Sequence, residues 1–132
     1  MNFSFGKEYK LCSHKQIESL FKEGKKVREF PFTFIFSTTE MEIKYPFQVL
    51  ISVSKRNFKH AHDRNYVKRC IREAIRKNKF ELESRLSEQN LKIVFAIIYT
   101  FNERMDYVNL EQKLIKALSK LTTQISNTND KS

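Results

Sequence analysis

The chain has 132 residues, 40% of them hydrophobic, which is enough for one domain with a modest core. No apolar run approaches the ~18 residues that a membrane span needs, so no membrane partner is expected. Cys12 and Cys70 give neither a disulfide framework nor a paired-thiol metal motif. The composition predicts one domain over residues 1–125, a frayed tail over 126–132, and a reducing, cytoplasmic location.

Positive charge is concentrated in residues 55–79. The chain has 25 Lys and Arg against 15 Asp and Glu, a net charge of +10. Residues 55–79 hold ten of the basic residues and only two acids, Asp63 and Glu73, so they carry eight of the ten net charges. A solvated helix face usually mixes both signs. This concentration instead predicts a surface for a polyanion, with RNA or DNA as the first candidates.

The first predicted element is a short helix over residues 15–23. Ser13 and Gln16 have the spacing of a capping box, in which each satisfies a free backbone N–H at the helix start. Gly24 stands where a helix often ends in a left-handed conformation. An apolar stripe within the helix predicts one face packed against the rest of the domain.

Four segments are predicted as strands. Two of them alternate with period two, which places apolar side chains on one face and a mixed set on the other. The last is apolar on both faces, which is typical of an interior strand. The predicted strands are residues 25–28, 30–36, 47–54 and 91–100. A sheet built from them would pack one face on a core and leave the other partly wet.

Two further helices complete the predicted order. A basic helix begins between His60 and Asp63, and a final helix is capped by Asn109. The order α-β-β(-β)-α-β-α predicts an α/β (α+β) fold, a sandwich in which helices pack on a single small mixed four-stranded sheet. From the sequence pattern alone, a crossover between parallel strands in such a sheet would be right-handed.

The basic helix places like charges next to one another. Arg64, Lys68, Arg72 and Arg76 follow at intervals of four residues, a spacing at which each pair costs ~0.2–0.5 kcal/mol. Apolar residues gather on the opposite side of the helical wheel. Local violations of this kind tend to mark function. A phosphate backbone along this side would turn the repulsion into attraction, and each contact would add ~0.9 to the salt dependence of binding.

Several motifs together resemble the signature of a known family. They are L-F-K-E-G at 20–24, S-V-S-K-R at 52–56, A-H-D-R-N at 61–65, V-K-R at 67–69 and I-R-E at 71–73. The bacterial ribonuclease P protein component carries S-V-(S/A)-K-(K/R), a short spacer, and R-N-x-x-K-R-x-x-R-E. The chain resembles this family along nearly its whole length. It departs at Tyr66, where the family commonly has Arg or Lys, and at Ile17, where many members have Phe.

The resemblance implies the small protein subunit of a ribonucleoprotein endoribonuclease, which removes the 5′ leader from precursor tRNA. The RNA subunit would hold the catalytic centre and its Mg²⁺ ions. The implied partners are the catalytic RNA and precursor tRNA, with no stable protein partner required. The resemblance also implies a left-handed β-α-β crossover, the opposite of the hand expected from the pattern alone.

The resemblance further implies two sets of RNA-binding residues and no catalytic or metal-binding residue. The basic helix would face the catalytic RNA through Arg64, Asn65, Lys68, Arg69, Arg72 and Arg76. The open face of the sheet would form a cleft for the single-stranded leader, lined by Phe21, Thr33, Ile35, Ser52, Lys55 and Arg56.

The residues themselves also favour such a cleft. A wet, half-apolar sheet face bordered by Phe21 and basic side chains suits a single strand, which needs stacking and phosphate neutralisation. Packing against the sheet is an equally good interpretation of Phe21. Thr33 and Ser52 are also consistent with an ordinary solvated surface.

Other chemistry finds little support in the sequence. His60, His62 and Asp63 are too few for a metal site. No convergent carboxylate pair, nucleophile with a base, or phosphate-binding glycine loop is present, so the chain is not expected to cut RNA alone. A general RNA-binding or ribosome-associated module remains an alternative, and a self-sufficient nuclease is a third, weaker hypothesis.

Overall fold

The computed structural model describes the backbone of residues 5–130 and the side chains of residues 5–126. A 3₁₀ turn precedes an alternation of helices and strands. In chain order the elements are the 3₁₀ turn (Lys7–Tyr9), α1 (His14–Glu23), β1 (Lys25–Glu29), β2 (Phe32–Thr38), β3 (Phe47–Val53), α2 (Ala61–Asn78), α3 (Phe80–Glu88), β4 (Ile93–Tyr99) and α4 (Tyr107–Asp130). Within the described residues no helix is both long and apolar enough to cross a bilayer.

The four strands form one mixed sheet in the order β1-β2-β4-β3. β2 pairs antiparallel with β1 and with β4, and β3 pairs parallel with β4. The predicted four-stranded sheet, its extra first strand and the interior position of β4 are confirmed. The parallel pair requires a crossover through α2 and α3, whose left-handed sense stays a prediction.

The sheet carries a helix layer on each face. On one face, α2 and α4 cover the large core, whose sheet side is formed by alternate apolar residues such as Phe34, Phe47 and Phe95. On the other face, α1 covers a small second cluster that includes Leu20, Ile35 and Ala96. Because α1 has only ten residues, it leaves part of this second face open.

Gly24 ends α1 for a reason other than the predicted one. Its backbone is extended (φ −67°, ψ 152°), so the predicted left-handed conformation is wrong. A Cβ at this position would lie 2.5 Å from Cγ2 of Ile35 and 2.5 Å from the carbonyl oxygen of Leu20. Glycine is required because α1 ends directly against β2. The predicted N-cap is confirmed, since the Ser13 hydroxyl accepts from the N–H of Gln16 at 3.3 Å.

Three local features differ from the sequence-based expectation. Helix α3 was not predicted because it lacks a side-chain cap and follows α2 after the single residue Lys79. Asp106, rather than Asn109, caps α4: its Oδ2 accepts the N–H of Asn109 at 3.3 Å. Phe30 does not share the buried face of β2, because it lies in the turn before the strand and is 56% exposed.

The C-terminal boundary also differs in position. Helix α4 continues to Asp130 and therefore runs through most of the segment predicted as a tail. Residues 131–132 of that predicted tail lie outside the described part of the chain.

Candidate nucleic-acid interface

Helix α2 is held to the core by a narrow apolar side. Its buried residues are Val67, Cys70, Ile71, Ala74 and Ile75, which recur at helical spacing. Cys70 is thus a small core residue, as its place on the wheel indicates. Burial of this side fixes the rotation of the helix, so the basic side chains must turn away from the core.

Five polar residues of α2 come together on its outer side. His62, Asn65, Lys68, Arg69 and Arg72 line one shallow surface depression. Four of these are residues predicted to bind the catalytic RNA. The helix therefore brings most of that predicted set onto one continuous surface, which we call the basic ridge and define as Asn65, Lys68, Arg69 and Arg72.

Arg64 and Arg72 also contact the protein itself. Nη1 of Arg64 donates to the carbonyl oxygens of Phe58 at 2.8 Å and Lys59 at 3.4 Å, which fixes the loop that enters α2. The Arg72 guanidinium lies 5.3 Å from the centre of the Phe5 ring, and Nη2 donates to the Phe5 carbonyl oxygen at 3.4 Å. A guanidinium has five donors, so each arginine keeps others for a ligand.

Glu73 pairs with Arg76, so the pairing with Arg69 or Lys77 that its helical spacing predicts is wrong. Nε of Arg76 donates to Glu73 Oε2 at 3.1 Å, and the Arg76 Nη2 forms a second bond to Oε1. The hydrogen bond from Arg76 lowers the pKa of the Glu73 carboxyl below its usual range. Arg76 thus carries a carboxylate beside it, in contrast to the basic ridge.

Lys79 does not belong to the charged surface that the basic stretch predicts. Its side chain is fully buried, and Nζ lies 3.3 Å from Oε1 of Glu83. Nζ also donates to the hydroxyl of Tyr9, whose ring centre is 4.4 Å away. Burial and the Glu83 carboxylate raise the pKa of Tyr9. Lys79, the last cation of the basic stretch, is therefore paired inside the protein and is not available on its surface.

Arg104 adds a cation that the local sequence pattern missed. Its guanidinium carbon lies 3.8 Å from the ring centre of Tyr66, and Nη1 lies 3.4 Å from Oδ1 of Asp63. Position 66 is where the resembled family commonly has a basic residue. A positive charge therefore stands over Tyr66, supplied by the loop after β4. Forty-one residues separate Arg104 from Asp63, so no local pattern could reveal the pair.

The open face of the sheet has one row of small and apolar side chains. The strand register places Ile98 of β4 between Thr33 of β2 and Ser52 of β3. All three are half-buried. Thr33 and Ser52 were predicted for the leader cleft. Ile98 was missed because the run 91–100 is apolar throughout, which hides the one position that faces outward.

Ile35 and Phe21 occupy different positions from those expected. Ile35 is only 4% exposed, packed beneath α1 beside Leu20, so it supports the cleft from below and does not line its surface. Phe21 is 44% exposed on the outer side of α1. The alternative interpretation of Phe21 as a core residue is therefore wrong.

Lys55 and Arg56 lie in the turn that follows β3. The hydroxyl of Ser54 accepts the N–H of Asn57 at 3.2 Å and shapes this turn. Both basic side chains are exposed. Because Ser52 is near the end of β3, the two cations stand close in the chain to the open row of the sheet. Among the described side chains, those of residues 5–126, no three from His, Cys, Asp or Glu gather in a way that could hold a metal ion.

Comparison with known proteins identifies the family. The family model described as Ribonuclease P matches residues 5–122 of the chain. The chain belongs to the ribonuclease P protein family. It is 30% identical over 124 residues to the ribonuclease P protein component of Porphyromonas gingivalis, covering 93% of this chain and 90% of that protein. The chain is therefore a protein component of ribonuclease P, as the other members of this family are.

Solved structures of ribonuclease P proteins share the fold. A mutant of the Staphylococcus aureus RNase P protein superimposes with a TM-score of 0.66 at 24% identity, over 86% of this chain and 87% of that one. The RNase P protein from Thermotoga maritima gives a TM-score of 0.62 at 25% identity, over 81% and 92%. The predicted α+β fold and the family resemblance are thus confirmed.

Proposed function

We propose that the chain binds the catalytic RNA of ribonuclease P through α2 and the 5′ leader of precursor tRNA through the open sheet face. In this function it assists the endonucleolytic removal of the leader, which gives the mature 5′ end of the tRNA. The catalytic centre and its Mg²⁺ ions are assigned to the RNA subunit, and the reaction to the cytoplasm, as parts of the same proposal.

One observation carries the assignment of α2. Among the side chains of residues 5–126, no carboxylate lies at ion-pair distance from Arg64, Lys68, Arg69 or Arg72, although ion pairs form elsewhere in this part of the chain. Uncompensated cations along one helix side repel one another. A phosphate backbone relieves this repulsion and releases condensed counterions. The basic ridge therefore suits a nucleic acid better than a protein partner of mixed charge.

The open row of the sheet supports the second half of the proposal. Thr33, Ile98 and Ser52 form a shallow, half-apolar strip, with Phe21 exposed on α1 and Lys55 and Arg56 exposed after β3. A single strand needs a stacking surface and phosphate neutralisation more than base-specific donors. This combination supports the leader rather than a duplex as the ligand of the cleft.

Cleavage of a precursor tRNA tests the proposal directly. The cognate catalytic RNA is assayed at low Mg²⁺ with and without the protein, and the protein is also assayed alone. We expect the protein to raise the cleavage rate only in the presence of the RNA. A rate unchanged by the protein would reject the processing role and leave a general RNA-binding module. Cleavage by RNA-free protein would place the chemistry in this chain.

A further inference from the structure

A cavity of about 220 Å³ lies at the outer edge of β3, beside the basic ridge. It is bounded by the N-terminal segment, by β3 and by α2. Its lining residues are Phe5, Gly6, Tyr9, Lys10, Val49, Leu50, Ile51, Lys68 and Arg72. Lys68 and Arg72 also line the depression on the outer side of α2, so the cavity opens onto the surface proposed for RNA.

The charges of the lining favour an anion. Lys10, Lys68 and Arg72 supply three cations, and no Asp or Glu is among the lining residues. Phe5 and Ile51 supply apolar wall between the cations. A ligand that matches this lining has a flat, weakly polar body and a negative group attached to it. A nucleotide has both parts, whereas a peptide of mixed sequence does not carry a negative group in a fixed position next to a flat ring.

The aromatic wall of the cavity is held in place by the protein itself. The centre of the Phe5 ring lies 5.3 Å from the Arg72 guanidinium carbon and 5.1 Å from the centre of the Tyr9 ring. Tyr9 stacks on Tyr45 at 4.1 Å and receives the hydrogen bond from buried Lys79. The wall is thus anchored to the core, and a wall that is fixed in advance lowers the ordering cost of binding.

Backbone groups of β3 also face the cavity. β3 is an edge strand, and the Val49 carbonyl accepts the N–H of Leu11 at 3.0 Å on its outer side. Because successive residues of a strand alternate in direction, the N–H and C=O of Ile51 point to the same outer edge. Ile51 lies beyond the bridge that joins Lys10 to Val49 and lines the cavity. A donor and an acceptor are thus available for the edge of a base.

From these observations we infer that the cavity receives one unstacked RNA nucleotide. Its base enters against Phe5 and Ile51, and its phosphate lies between Lys68 and Arg72. The volume is below the ~300 Å³ at which ligand pockets begin to hold drug-sized molecules, which fits a single base. This inference rests on the proposal that α2 binds RNA. The catalytic RNA and the precursor tRNA share the required chemistry.

Titration of the wild-type chain with small probes tests the site without the holoenzyme. Nucleoside 5′-monophosphates, ribose 5-phosphate and inorganic phosphate are each added to ¹⁵N-labelled protein, and amide shifts are recorded. We expect the nucleotides to shift the amides of Leu50 and Ile51 in addition to those near Lys68 and Arg72. Shifts confined to α2, with equal affinity for all three kinds of probe, would refute the base site and leave the proposed function intact.

A matched pair of variants tests the site with the natural RNA. Phe5→Ala removes the stacking wall, and binding is measured for the catalytic RNA and for precursor tRNA separately. We expect the affinity for the RNA that supplies the nucleotide to fall about tenfold with an unchanged salt slope, because no cation is lost. Phe30→Ala removes an exposed phenylalanine next to the opposite edge strand and should change binding by less than about twofold. Equal effects of the two variants on the binding of both RNAs would refute the inference.

Cross-linking identifies which RNA supplies the nucleotide. A benzophenone side chain replacing Phe5 is activated by light in the assembled holoenzyme with bound precursor. A cross-link to one nucleotide of the catalytic RNA, or to one nucleotide of the precursor, assigns the source. Cross-links to neither RNA would contradict the inference even if the protein still stimulates cleavage.

Discussion

The Nζ atom of Lys79 lies 2.7 Å from the hydroxyl oxygen of Tyr9, 70 residues earlier in the chain. The same hydroxyl donates to Oε2 of Glu83 at 2.7 Å, and Nζ is itself 3.3 Å from Oε1 of Glu83. This group of three, in which Lys79 and Tyr9 are buried and Glu83 is partly buried, joins the N-terminal segment to the junction between α2 and α3. It holds the C-terminal end of α2 against the fold.

Replacement of Lys79 by Met should lower the free energy of unfolding by about 3 kcal/mol. The substitution leaves Glu83 beside a buried site without its cation, and breaking a buried pair is more costly than losing an exposed one. Urea denaturation followed by circular dichroism measures the change. The neighbouring Lys77→Met, which removes an exposed cation, should cost less than about 1 kcal/mol. Similar losses in the two variants would show that the buried contacts of Lys79 do not contribute more to the free energy of unfolding than an exposed lysine does.

Gly24→Ala should destabilise the protein by about 1–3 kcal/mol. The added Cβ would overlap Cγ2 of Ile35 and the Leu20 carbonyl, each 2.5 Å away, so α1 must shift from the sheet. Thermal unfolding measures the loss. Gly6→Ala is the matched control, because its Cβ would meet its nearest neighbour, Oε2 of Glu8, at an ordinary 3.5 Å. A Gly24→Ala protein as stable as Gly6→Ala would contradict the close approach of α1 and β2.

Arg69→Ala should reduce the slope of log affinity against log salt by about 0.7–0.9 for the catalytic RNA. Arg69 is exposed on the basic ridge and has no ion-pair partner among the described residues. Arg72→Ala should do the same. Arg85→Ala removes the same charge from α3, where Arg85 lies 3.9 Å from Glu88. Filter-binding titrations at several salt concentrations should leave the Arg85→Ala slope at the wild-type value. An unchanged slope in Arg69→Ala would show that this residue does not contact phosphate.

Ser52→Glu should weaken the affinity of the holoenzyme for precursor tRNA about fivefold and leave its affinity for mature tRNA unchanged. The new carboxylate would stand in the open row beside Ile98. Two like charges about 4 Å apart in water repel by ~1 kcal/mol, which is the scale expected against a leader phosphate. Ser84→Glu adds the same charge to the exposed side of α3 as a control. Equal losses of affinity for precursor and mature tRNA would show that the open row does not bind the leader.

Stability should fall between about pH 10 and pH 12. Burial raises the pKa of Tyr99 to about 12, above its ordinary value near 10, and its hydroxyl donates to the Glu103 carbonyl at 2.8 Å. The unfolded chain ionises first, so the stability conferred by this raised pKa is complete below about pH 10 and is lost as the pH rises toward 12. Urea midpoints at pH 8 and pH 11 should differ less in Tyr99→Phe than in the wild type. An equal difference in both would assign the alkaline loss to other groups.

The sheet could be predicted because its strands show either alternating apolar and polar residues or, for β4, a continuous apolar run. The central place of β4 follows from its apolar character on both faces. Helix α3 could not be predicted, because its N-cap position is Lys79 and its start depends on burial of that lysine in a site formed by Tyr9. The role of Gly24 was equally hidden, since only the distance to Ile35 shows it.

The basic ridge could be predicted from helical spacing, but its limits could not. The wheel places Arg76 with the ridge, whereas the fold pairs it with Glu73. It also cannot place Arg104, which reaches Tyr66 only after β4 has been inserted in the sheet. Ile98 was missed for a related reason, because a strand buried on nearly all sides conceals the single residue that faces the open row. Local pattern identifies elements, and long-range pairing decides which side chains meet.

The sheet order has a consequence for synthesis of the chain. β2 and β3 are never neighbours; each pairs with β4, which is made after both of them and after the whole of α2. Until residue 99 has left the ribosome, β2 and β3 each have an unpaired edge, and α2 has no completed sheet to pack against. A nascent chain halted before β4 would therefore expose unpaired strand edges and an unpacked polybasic segment. Both would lie at the ribosome, where ribosomal RNA is close to the emerging chain.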